Sequence, residues 1–173
     1  MQNKLVVGII IAAMLVAGFG IGFFTNGYVS GGGIGTAPDG NEINIERASI
    51  NLMKQQQAGG YELVDTQTLK QWIDAGENVL IIDTMPASFH QNTRIPGAVN
   101  AEMPIGTMDD ATPAQKEAFA ALLGDDKSKK IVVYCGFVAC TRSDAGAAYA
   151  VSLGYENVYR HPGGIKAWQD AGY

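Results

Sequence analysis

Hydrophobic positions along the chain follow three different rules in turn. From Leu5 to Phe24 the segment LVVGIIIAAMLVAGFGIGFF runs 20 residues without a charge, and as a helix it reaches about 30 Å, the thickness of a bilayer's hydrocarbon core. From Thr25 to Asn41 glycine dominates, with Asn26, Ser30, Pro38 and Asp39 interspersed, the composition of a flexible tether. From Glu42 onward short apolar runs alternate with apolar residues at helical spacing, as in a folded domain.

Within that third region Ile43, Ile50, Leu52 and Met53 predict a helix from Glu42 to Ala58, closed by Gly59 and Gly60, which either packs on the domain that follows or binds a partner. Val79–Ile82 and Ile131–Tyr134 are apolar, largely β-branched runs, expected of strands buried on both faces, and Asn157–Tyr159 is a third strand. Helices fall between them. Asp65 or Thr66 caps one that carries Leu69, Trp72 and Ile73 and stops at Gly76. Thr112, Pro113, Ala114 and Gln115 form a capping box with proline at the first helical position, leading into Phe119, Leu122 and Leu123. Ala145, Ala147, Ala148, Ala150, Val151 and Leu153 recur at helical spacing before Gly154, with Thr141 or Ser143 as cap and Asp144 in capping-box position to Thr141. A last helix runs from Ile165 to Ala171. Strands separated by helices predict an α/β fold, a mainly parallel central sheet flanked by helices, with its site beyond the carboxyl ends of the strands.

Composition narrows the function. The 173 residues are 47% hydrophobic with a formal net charge of −5, and the 12 Lys and Arg form no basic cluster, so nucleic acid is not an expected partner. Gly31, Gly32, Gly33 and Gly35 have no strand before them, which leaves nucleotide binding unsupported. His90 and His161 make no metal-ligand spacing with the two cysteines. They read as solvated loop residues, or less naturally as lining a pocket mouth. Neither a metal nor a cofactor is expected.

The chemistry concentrates after the strand Ile131–Tyr134. Cys135 stands at its tip, before a loop that runs into a helix at Arg142 and Ser143, where loop amides and the helix dipole favour thiolate over thiol. The plain alternative is an inert buried thiol. Cys140, in the same loop, reads as a packing residue, a second thiol that resolves or bridges to Cys135, or the nucleophile itself. Arg142 is either an oxyanion clamp or the partner of an acid such as Asp83 or Asp144.

The stretch VVYCGFVACTRSDAGAAYAVSLGYENVYRHPGGIKAWQDAGY resembles the second half of a rhodanese domain, and VLIIDTMP with RIPGAVNAEMP resembles that family's earlier strand and IPGA loop. The likeness spans Tyr61 to Tyr173 and implies a rhodanese-like three-layer sandwich. It also implies sulfane-sulfur transfer from a donor such as thiosulfate or a persulfide to a thiol or cyanide acceptor through a Cys135 persulfide. Gly136, Phe137, Val138, Ala139, Cys140, Thr141, Arg142 and Ser143 would form the substrate cradle. Cys135 and Arg142 stand 142 − 135 = 7 positions apart, a longer loop than the family usually shows. Asp83-Thr84-Met85 and Arg94 replace the residues usual there, so Asp83 and Arg94 become candidates for the pocket rim. The alternatives are a phosphatase or arsenate-reductase-like enzyme using Cys135 and Arg142, and a non-catalytic module that binds sulfur species or a protein partner.

Segment by segment, residues 1–4 are expected in the cytoplasm, 5–24 as one membrane anchor, 25–41 as linker, 42–60 as a helical extension and 61–173 as the domain. Lys4 and the α-amino group flank the start of the apolar run, and no Lys or Arg follows until Arg47, which predicts a single-pass protein of the cytoplasmic membrane with its domain exported to the periplasmic side. No A-x-A site follows the run, which favours an anchor over a cleaved leader.

Overall fold

The structure, a computed structural model, describes residues 42–173. The anchor and linker expected at 5–24 and 25–41 lie outside the described residues, and among those described no helix is long and apolar enough to cross a membrane. The order is α1 (Glu42–Gly59), β1 (Glu62–Leu63), α2 (Thr66–Asp74), β2 (Val79–Asp83), α3 (Ala87–Asn92), β3 (Val99–Asn100), a 3-10 turn (Met108–Asp110), α4 (Pro113–Leu123), β4 (Lys130–Tyr134), α5 (Arg142–Ser152), β5 (Asn157–His161) and α6 (Gly164–Asp170).

The strands form one sheet in the order β1-β5-β4-β2-β3, parallel at every pairing. The two runs read as doubly buried strands are its centre, with β2 beside β4 from Val79↔Lys130 to Asp83↔Tyr134. Side-chain alternation divides the core between two faces. Leu80, Ile82, Ile131, Val133 and Val158 meet α4 and α5 through Phe119, Leu123, Ala147 and Ala150. Val79, Ile81, Val132 and Tyr134 meet α2 and α6 through Leu69, Ile165 and Trp168. Each fully buried Ile or Val contributes about 1.5–3 kcal/mol by leaving water, and this places the carboxyl end of β4 in the middle of the sheet.

Most caps form as the sequence predicts. The Asp65 side chain accepts from Thr68 N at 2.8 Å, and Thr112 and Gln115 exchange bonds at 3.0 and 3.2 Å. The capping box expected at Thr141 and Asp144 does not form, because long-range partners take both side chains. Thr141 Oγ1 accepts from Gly106 N at 2.8 Å, and Asp144 Oδ1 accepts from Tyr61 Oη–H at 2.6 Å. Helix α1 docks in part through polar groups, Gln56 Nε2 donating to Tyr61 O at 3.1 Å; of its predicted apolar positions Leu52 is half-buried, while Ile43, Ile50 and Met53 stay exposed. The short elements β1, β3 and α3 have too few residues to show a period.

One glycine sets the site's frame. Gly164 opens α6 at φ +59°, and a Cβ there would lie 2.2 Å from Cys135 O. Its absence lets Ile165 N donate to Cys135 O at 2.9 Å and Lys166 N to Gly136 O at 3.0 Å. The chain leaving β4 is thereby pinned to α6. Gly164→Ala should cost at least about 3 kcal/mol. Gly172→Ala, at φ +80° with nothing within 4 Å of its Cβ, should cost about 1 kcal/mol. Urea unfolding measures both, and equal losses would exclude the close approach as the cause.

Candidate active site

Pinning its carbonyl to α6 turns the Cys135 side chain inward. Its sulfur lies 3.2 Å from Cys140 O and 3.1 Å from Ser143 Oγ, and the residue is 0% exposed. The loop then folds back, with Cys140 N donating to Phe137 O at 2.9 Å, which brings the Cys140 carbonyl to 3.2 Å from the Cys135 sulfur and sets the second thiol beside the first.

The two sulfurs sit in opposite environments. Donation of its proton to Cys140, together with burial, pushes the Cys135 thiol far above its usual range. Cys140 receives that hydrogen bond, and receives others from the N–H groups of Gly136 and Arg142, with the Arg142 charge nearby; its thiol is lowered to about 5. Amides expected to gather around Cys135 therefore serve Cys140 instead, and of the loop and helix amides Ser143 N–H is the one that supports Cys135. The reason is geometric: the loop from Cys135 to Arg142 doubles back over its first cysteine and places the second where an anion is stabilised.

Outside this pair lies a cleft of about 390 Å³ lined by Met85, Pro86, Phe89, Ile105, Gly136, Phe137, Ala139, Cys140, Thr141 and Arg142. Its rim is apolar, with Phe89 57%, Ile105 74% and Phe137 56% exposed. Of the predicted cradle, Val138 is exposed but outside this lining and Ser143 is buried beneath it beside Cys135. Arg142 pairs with neither Asp83 nor Asp144. Its Nη1 donates to Glu102 Oε1 at 3.1 Å and to Met103 O, so the guanidinium staples the loop to the 102–103 segment.

Asp83 and Arg94 are not at the rim. Asp83 is fully buried, accepting from Met85 N at 2.9 Å and Tyr134 Oη–H at 3.1 Å and pairing with His90 Nδ1 at 2.9 Å. Arg94 is exposed and does not line the cleft; its Nη1 lies 3.5 Å from His90 O. Neither histidine is a solvated loop residue. His90 rides on α3 against Asp83 with 15% of its side chain exposed. His161 ends β5, buried, with Nδ1 3.1 Å from Val64 O and its basicity lowered by burial.

Sequence reasoning missed Arg160. It is 0% exposed, yet Nε donates to Ser143 Oγ at 2.9 Å, Nη1 to Gln55 Oε1 at 2.7 Å and Tyr61 Oη at 3.1 Å, and Nη2 to Cys140 O at 3.0 Å. Asp144 Oδ1 stands 4.0 Å away. The available signal was strand alternation, which puts Arg160 on the same face as Val158 and hence in the core.

Residues 65–171 match the family described as Rhodanese-like domain. Among curated relatives, the tRNA uridine(34) hydroxylase of Burkholderia lata is 29% identical over 147 residues, covering 75% of this chain and 46% of that protein. The corresponding enzyme of Burkholderia cenocepacia is 27% identical over the same coverage. This chain thus spans about half the length of the curated relatives it matches. Among solved structures, a protein of Bacillus halodurans is 25% identical with a TM-score of 0.50, covering 73% of this chain and 82% of that one. The thiosulfate sulfurtransferase of Pseudomonas aeruginosa, at 17% identity and a TM-score of 0.52 over 72% of this chain and 22% of that one, shares the fold. With the parallel sheet, the cysteine that follows β4 and the match over most of the described residues, the chain belongs to the rhodanese-like domain family.

Proposed function

We propose that the protein is a sulfurtransferase in which the Cys140 thiolate takes the outer sulfur of a donor and the resulting persulfide passes it to a thiol. One observation carries this reading: Cys140 lies at the wall of the open cleft with hydrogen-bond donors around its sulfur, whereas Cys135 is closed off from solvent. The donor meets a thiolate that is ionised at neutral pH without a metal, and the same N–H groups hold the anionic persulfide. The rim of Met85, Pro86, Phe89, Ile105 and Phe137 suits a donor with an apolar body better than bare thiosulfate.

A second reading keeps Cys135 as the persulfide-bearing sulfur, as the family resemblance implies. Its position directly after β4 favours it, and it requires the exposed Phe137–Ala139 segment to swing away. Phosphoryl chemistry has less support, since Arg142 is engaged by Glu102 and the residues lining the cleft include no carboxylic acid to protonate a leaving group. The tRNA chemistry of the curated relatives is not carried over, because a net charge of −5 offers a phosphate backbone little. The uncharged run 5–24 supports placing the domain outside the cytoplasmic membrane on a single anchor.

Cys140→Ser in the full chain should lower kcat/KM for sulfur transfer by about a thousandfold or more; retained turnover in that variant with loss in Cys135→Ser assigns the nucleophile to Cys135. Alkylation of Cys140 by iodoacetamide should rise with pH through about 5 and level off by neutrality. Cys135→Ala removes the donor to that thiolate, so the midpoint should move upward, and a midpoint near the usual value of about 8.5 in the unaltered protein would exclude the activated thiolate. Alkaline carbonate washing should leave the full chain in the membrane fraction, and release into the supernatant would remove the anchor from this reading.

A further inference from the structure

Cys135 has a part to play that sulfur loading on Cys140 does not use up. It is a protonated thiol with no solvent exposure, so external thiols and donors do not reach it. Its sulfur lies 3.2 Å from the carbonyl oxygen of Cys140, beside the second thiol of the folded loop. Ser143 Oγ, which accepts from Arg160 Nε at 2.9 Å, keeps its own hydrogen for the Cys135 sulfur 3.1 Å away, and can support negative charge there when the proton leaves. A bridge across so short a loop would brace little of the fold, because closing it removes little unfolded-state entropy. Two adjoining thiols in such a loop are better suited to exchange chemistry than to stability.

We propose that the Cys135–Cys140 pair is a sulfide-releasing device: Cys135 expels the sulfur carried by Cys140 as hydrosulfide and closes a disulfide, giving the chain a persulfide-reducing activity beside sulfur transfer. The inference rests on Cys140 being the sulfur-accepting residue. In the step, the Cys135 sulfur attacks the inner sulfur of Cys140–S–S⁻. The Sγ–Sγ bond forms, the bond to the outer sulfur breaks, and its electron pair leaves with that sulfur. The Cys135 proton goes with it, so that Cys140–S–S⁻ and Cys135–SH become Cys140–S–S–Cys135 and HS⁻. The outer sulfur is reduced to sulfide, and the two cysteines are oxidised to the bridge. Placing the proton beside the leaving sulfur matters because HS⁻ leaves far more readily than the dianion. Holding both sulfurs in one loop makes the attack intramolecular, ahead of competing external thiols. A protein or small-molecule dithiol then reopens the bridge by exchange and is itself oxidised.

A single-turnover experiment on the full chain, reduced and then freed of reductant, tests this with benzenethiosulfonate, whose aryl group suits the apolar cleft. Benzenesulfinate release reports loading, and hydrosulfide release reports resolution. The unaltered protein should give one sulfinate and one hydrosulfide per chain and end lighter by two hydrogen atoms, with Cys135 and Cys140 in one disulfide-linked peptide. Cys135→Ser and Cys135→Ala should release sulfinate without hydrosulfide and stop at an adduct about 32 Da heavier. Sulfinate release from the unaltered protein with a stable adduct and no hydrosulfide overturns the device while leaving sulfur transfer standing. No sulfinate from the unaltered protein overturns both. Since the unaltered chain decides between these outcomes, the result does not depend on either variant folding.

Discussion

A guanidinium with no exposure to water must find partners for its N–H groups inside the protein or cost several kcal/mol. Arg160 meets that requirement by drawing Gln55 from α1, Tyr61 from the turn before β1, Ser143 from α5 and the carbonyl of Cys140 from the loop after β4 into one cluster, with Asp144 as counter-charge. Tyr61 in turn donates to Asp144 at 2.6 Å, and its own ionisation is pushed up by burial and by that bond. The loop carrying both cysteines therefore has its C-terminal carbonyl fixed by a charge in the core. Its N-terminal carbonyls are fixed by the first amides of α6.

Between those two anchors the thiols have little freedom, and their differing chemistry follows from where the hydrogen-bond donors point. Carbonyl oxygens of Phe137 and Cys140 face the Cys135 sulfur, at 4.0 and 3.2 Å, and these favour a protonated thiol. The N–H groups of Gly136 and Arg142 face the Cys140 sulfur and favour the anion. Arg142 adds its charge while its side chain is held by Glu102 and Met103. The two thiols thus lie in unlike surroundings, Cys135 inside the protein and Cys140 at the wall of an apolar cleft.

Packing under the loop limits what can move. Helix α5 lies so close to the sheet that a Cβ on Gly146 would stand 2.9 Å from Phe119 and 3.0 Å from Val133, so Ser143 and Asp144 at its start are carried on a rigid element. Tyr134 fixes the other side: its hydroxyl donates to buried Asp83 at 3.1 Å and accepts from Ile95 N at 3.1 Å. The exposed Phe137–Ala139 tip is the part of the loop left free of the core.

How much of this was legible beforehand depended on the range of the interactions involved. The central strands, the capping box at Thr112 and Gln115, the glycine after α5 and the loop following β4 were all readable, because each is encoded by residues a few positions apart: a period of two, a period of 3.6, a cap or a turn. The short strands β1 and β3 were not, since two residues pair only when the rest of the sheet offers an edge. The site divided the same way. Sequence alone placed both thiols after one strand and before one helix, with Arg142 and Ser143 at that helix's start. It did not decide which sulfur faces solvent, that Asp144 leaves its local cap for Tyr61, that Asp83 turns into the core, or that Arg160 governs the loop from another strand. Those outcomes are competitions among groups far apart in the chain, where burial of a charge or of an unpaired polar atom outweighs local preference, and only the packed tertiary structure settles them.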